Sequence, residues 1–63
     1  MNVFIERENK HLELEAKNGS ELLKSLDINP STVLLVKNDE VVLPEEELTS
    51  EDDVKILSVV SGG

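Results

Sequence analysis

The group in this sequence best suited to chemistry is not a side chain. The chain ends in Ser61, Gly62 and Gly63, directly after an apolar, β-branched run at 54–60 that reads as a strand. Without Cβ atoms, two glycines let an extended tail enter a channel closed to other residues, so that a main-chain carboxylate becomes the reacting group. With glycine usage near about 7%, a terminal pair arises by chance in roughly 0.5% of chains, which makes composition a poor explanation for it.

Side chains offer less. There is no cysteine, which excludes a disulfide, a thiolate metal site and a cysteine nucleophile. His11 is the only histidine. It stands beside an inward leucine at the start of a predicted strand, with no organised carboxylate partner, and is expected to be a surface strand residue rather than a base or ligand. Residues 45–53 hold six acids and one apolar residue, Leu48. Hard cations need several converging oxygens, so the segment is expected to be a solvated loop with Leu48 tucked under the core, and no metal is assigned. The lysines are spread one per element, as surface solvation requires. No nucleophile and base lie together, and an independent enzyme is not expected.

The totals agree with that restraint. Sixty-three residues make one domain, which at this size buries only about 60% of the surface its unfolded chain exposes, so a catalytic cleft would compete with the core. The hydrophobic fraction of 38%, almost wholly Val, Leu and Ile, is enough for a small folded unit, and Phe4 is the only aromatic residue. No apolar run approaches the roughly 20 residues that span a bilayer, and no signal peptide is apparent, so a soluble, cytoplasmic monomer is expected. Fourteen acidic against six basic residues give a net charge of −8. That charge opposes direct binding to nucleic acid and to anionic membranes and favours a basic protein partner.

The elements that must position the tail follow from periodicity. Residues 1–7 and 11–16 alternate apolar and polar around a polar turn at 8–10, which predicts a hairpin with Val3 and Ile5 on one face and Phe4 on the other. The period then changes, and Leu22, Leu23 and Leu26 share a helical face. Asn18 is the expected N-cap and Glu21 completes a capping box. Asp27 to Pro30 ends the helix, because the residue before proline is pushed out of helical geometry. Residues 33–37 and 41–43 form a second hairpin around Asn38 and Asp39, with Pro44 at its end. Strand, strand, helix, strand, strand, strand is most economically an α+β fold in which one mixed sheet packs its inner face on the helix. Residues 1–60 then form the domain and residues 61–63 a flexible C-terminal tail.

With those elements in place the chain resembles the ubiquitin-like β-grasp proteins, most of all the ThiS/MoaD sulfur carriers and small archaeal modifier proteins. The residues that carry the likeness are the opening Met1, Asn2 and Val3, the helix core at 21–28, the hairpin at 36–44 and the ending at 53–63. Two departures stand out. Gly19 replaces an apolar residue of the first helical turn, which implies a looser helix start. Leu57 stands where relatives often carry an aromatic, which bears on which activating enzyme is cognate.

The resemblance implies a protein co-substrate rather than an enzyme. Gly63 would be adenylated by a ThiF/MoeB-type enzyme that uses ATP, with no cofactor bound by the chain itself. Attack by a persulfide leads on to a thiocarboxylate, which supplies sulfur to an accepting enzyme for tRNA thiolation or for thiamine or molybdopterin biosynthesis. Attack by a lysine amine instead gives a modifier joined to a target protein. A plain interaction domain with an inert tail is the remaining alternative. Trypsin cuts last after Lys55, so a conjugate would leave a branch of residues 56–63 on its target.

Strand parity also predicts a docking face. If Val54 and Ile56 point to the core, then Lys55, Leu57 and Val59 point away from it, and Leu34 and Val36 on the neighbouring strand do the same. Leu34, Val36, Leu57 and Val59 are therefore the candidate partner-binding residues, an apolar patch beside the tail.

Overall fold

The computed structural model describes residues 1–59. Its first strand, β1 (Asn2–Ile5), turns Val3 and Ile5 inward, where they are 1% and 5% exposed. It pairs antiparallel with β2 (Lys10–Glu13), placing Phe4 opposite His11. Both strands are shorter than the alternation predicts. Glu6–Glu8 form a 3-10 turn, closed by Asn9 in the left-handed region at φ 49°, a conformation that asparagine tolerates better than most residues.

The helix α1 (Gly19–Ser25) begins with Asn18 as N-cap, its side chain accepting the Glu21 N–H at 2.8 Å. The reciprocal half of the capping box differs from expectation. Glu21 Oε1 accepts the Lys17 N–H at 3.2 Å, one residue earlier than the motif requires. At this point the backbone is also tied to the loop after β4: Asn18 forms an isolated antiparallel bridge with Glu47, Gly19 N–H donates to Glu46 O at 3.2 Å, and Leu48 N–H donates to Lys17 O at 2.9 Å.

Gly19 does not loosen the helix start; it allows it to pack. The residue is buried, and a Cβ there would run into the Leu35 side chain and lie 2.7 Å from Pro44 O. The close approach lets Ser20 N–H donate to Pro44 O at 2.6 Å. Leu22 and Leu23 are then buried, and Leu26 packs against the core from the helix end. The helix stops in a Schellman arrangement: Ile28 N–H donates to Leu23 O at 2.9 Å and Asp27 N–H to Lys24 O at 3.1 Å, with Asp27 left-handed at φ 59°.

A 3-10 turn (Pro30–Thr32) leads into β3 (Val33–Lys37), which pairs antiparallel with β4 (Glu40–Val42). Asn38 and Asp39 between them have φ of 50° and 69°, the paired positive values of a type I′ hairpin turn. The final strand, β5 (Asp53–Ser58), runs parallel to β1 and antiparallel to β3, giving a five-stranded sheet in the order β2-β1-β5-β3-β4. This is the expected α+β β-grasp architecture. β5 starts one residue earlier than predicted and ends at Ser58, although Val59 N–H still donates to Thr32 O at 3.0 Å.

The core lies between the helix and the inner face of the sheet, where Leu22 and Leu23 meet Val3, Ile5, Leu35, Val54 and Ile56. Leu48 closes it from the 45–53 segment at 5% exposure, as the sequence predicts. Among the described residues no helix is long and apolar enough to cross a membrane.

Candidate functional site

The strand that leads to the tail is the middle of the sheet. It pairs with Asn2–Ile5 of β1 on one edge and with Val33–Lys37 of β3 on the other. The strand is hydrogen-bonded on both edges as far as Ile56 and on the β3 side as far as Ser58, which ties the approach to the tail into the sheet. The tail residues Ser61, Gly62 and Gly63 lie outside the described residues.

Parity along β5 is as the sequence predicts. Val54 and Ile56 are 2% and 1% exposed in the core, which sends Lys55 and Leu57 to the outer face. Leu57 lies directly opposite Leu34, and Leu34 is 42% exposed. Val59, just beyond the strand, is 49% exposed. These three residues are brought together beside the tail root.

Val36 is a correction. It shares the outer face, but it is only 9% exposed, because it sits between Val41 on one side of the ladder and Lys55 on the other. The exposed apolar surface extends instead through Val41 and Leu43, at 62% and 69%. Neither was picked out from the sequence; the alternation of 41–43 about an edge strand was the available signal. Farther along the face the Phe4 and His11 rings stack with centroids 4.6 Å apart, so His11 is the surface strand residue expected of it. Lys55 lies 3.9 Å from Asp39.

At the far end of β5 the acidic segment is more organised than a solvated loop. Asp52 accepts the Asn38 side-chain amide at 2.9 Å and the Thr49 N–H at 2.7 Å, while Asn38 Oδ1 accepts the Asp53 N–H at 2.9 Å. The Asn38 amide, followed by the Thr49 N–H, holds the Asp52 carboxyl below its ordinary range. Lys37 donates to Glu46 Oε2 at 2.9 Å and to Glu47 O at 3.1 Å. The Glu46 bond raises the Lys37 pKa against a smaller opposing effect of burial. These contacts lock the hairpin to the start of β5. Among the described residues no three His, Asp or Glu side chains are arranged to hold a metal ion.

A rigid central strand therefore carries the tail, with apolar side chains grouped on one side of its root and an acidic clasp at its other end. The sequence profile of the ThiS family matches residues 2–63. The chain belongs to the ThiS family. Within known proteins it is 41% identical over 63 residues to an uncharacterized protein of Archaeoglobus fulgidus, covering 95% of this chain and 91% of that one. It is 39% identical over 54 residues to the sulfur carrier protein TtuB of Thermus thermophilus, covering 81% of this chain and 83% of TtuB. The ThiS-family match includes Gly62 and Gly63.

Proposed function

We propose that this ThiS-family chain is a sulfur-carrier protein, a co-substrate whose Gly63 carboxylate is activated by a ThiF/MoeB-type enzyme. The observation that carries the reading is the likeness to a named sulfur carrier across 81% of the chain. The absence of cysteine fits a carrier whose sulfur and catalytic groups come from partners.

The chemistry begins with a poor electrophile. A carboxylate oxygen attacks the α-phosphorus of ATP, pyrophosphate leaves, and the resulting acyl adenylate has AMP as a leaving group. A partner's persulfide displaces AMP at the acyl carbon, and thiol cleavage of the acyl disulfide leaves a thiocarboxylate on Gly63 and a disulfide on the partner. That sulfur is then available for tRNA thiolation or for thiamine or molybdopterin-type cofactor biosynthesis. The chain contributes position: β5 holds the tail root, and Leu34, Leu57 and Val59 offer the enzyme an apolar surface beside it.

Intact-mass measurement of the protein, tagged at Met1 and isolated from its host, tests this reading. Sulfur in place of one terminal oxygen is the expected result. A lysine-linked branch of residues 56–63 would identify the chain as a ubiquitin-like modifier, and both products together would mean that one activation step feeds two fates. An unmodified Gly63, even with the activating enzyme and ATP supplied, would leave the inert interaction domain.

A further inference from the structure

On the helix side of the tail root, opposite the apolar outer face, a cleft of about 380 Å³ opens between the 3-10 turn after β1 and the end of α1. Its lining includes the core side chains of Ile5, Leu26, Ile28 and Val33, and it reaches Ser58, the last residue of β5. Arg7, the only arginine in the chain, is exposed at its rim. The β1–β5 ladder ends where Ile5 pairs with Ile56; the 3-10 turn that follows carries Arg7, which lines the same cleft as Ser58. Among the described residues Arg7 has no ion-pair partner.

We infer that this cleft is a second docking site for the adenylating enzyme, taking an aliphatic or aromatic side chain of the enzyme with a carboxylate placed opposite Arg7. The inference rests on the carrier reading above. Ser58, the last residue of the strand that leads to Gly63, lines the cleft, so the enzyme that receives Gly63 is the molecule positioned to fill it. The apolar lining calls for an apolar occupant.

Arg7 specifies the rest. A surface complementary to a chain of net charge −8 is basic, and an isolated guanidinium repels it unless an acceptor is provided at that point. A like-charge mismatch of this kind sets register and orientation more than affinity. Glu8 and Asp27, on the same rim, meet the enzyme's basic groups on either side. The tail would thus be gripped from both faces of β5, the outer face by Leu34 and Leu57 and the inner end by this cleft.

The test is ATP–pyrophosphate exchange by the ThiF/MoeB-type enzyme of the same genome, with wild type, Arg7→Glu and Arg7→Lys as carrier. Arg7→Glu should raise KM for the carrier roughly fivefold to tenfold, the scale of an exposed charge pair turned to repulsion, with kcat and melting temperature unchanged. Arg7→Lys should restore most of the loss. In the absence of ATP, the amide resonances of Ile28, Asn29 and Val33 should shift or broaden when the enzyme is added to labelled wild type.

An Arg7→Glu protein with wild-type KM, or cleft amides that stay still while those of Leu34 and Leu57 move, would overturn the cleft and leave the carrier reading intact. A wild-type chain that supports no exchange at all would overturn both.

Discussion

At Gly19 one missing carbon decides whether the helix can meet the loop beneath it. The residue sits where Leu35 and the Pro44 carbonyl converge, with Pro44 O 2.7 Å from the place a Cβ would occupy. Two backbone bonds, Gly19 N–H to Glu46 O and Ser20 N–H to Pro44 O, depend on that approach. Gly19→Ala gains helix propensity but must push backbone apart, and overpacking of this kind typically costs about 1–3 kcal/mol. A lower urea midpoint at unchanged m-value is the expected result; a midpoint equal to wild type would mean that the loop yields freely. Local reading missed this contact because nothing near Gly19 in sequence announces Pro44. Asn38 and Asp39 show the opposite case, since their tolerance of positive φ is written in the residues themselves.

Among the elements, the joint between the β3–β4 hairpin and the start of β5 rests on a charged carboxylate. Asp52 uses both oxygens, one for the Asn38 amide and one for the Thr49 N–H, and these bonds lower its folded pKa. A carboxyl whose pKa is depressed by folding stabilises the native state fully above its unfolded pKa and ceases to do so as pH falls through the folded value. Lys37 has the opposite sign: its raised pKa keeps the ammonium charged through neutral pH, and its contribution to the bond with Glu46 is lost as pH rises on the alkaline side.

Asp52→Asn should therefore lower the urea midpoint at pH 7, because an amide has one acceptor oxygen where the clasp uses two. The gap between variant and wild type should narrow in acid as the wild-type carboxyl protonates. A gap independent of pH would show that the charge contributes nothing to the joint. The run of acids around Asp52 read as a solvated loop because its partners, Asn38 and Lys37, come from another element; only Leu48, apolar among acids, announced its burial from the sequence.

For the whole molecule the decisive feature is that the last strand is also the middle one. Sheet parity was legible in the sequence because its period is two residues, and Val54, Ile56 and Leu35 face the core as that period requires. Exposure on the outer face was not legible to the same degree, because it depends on which side chains flank a position across the ladder. Leu34 and Val36 have the same parity, yet one is 42% exposed and the other 9%.

The two positions therefore separate docking from folding. Leu34→Asp places a charge at an exposed site and should change stability by no more than about 0.5 kcal/mol, while raising KM for the carrier in adenylation because the apolar contact beside the tail is lost. Val36→Asp puts the same charge between Val41 and Lys55 at a site only 9% exposed. Burial of a carboxylate there should lower stability by about 2 kcal/mol or more. Urea midpoints and adenylation kinetics on the same two proteins check both halves. If Leu34→Asp leaves KM unchanged while Val36→Asp lowers stability, the outer face is a packed surface with no part in docking, and the enzyme grips the tail root from the helix side alone.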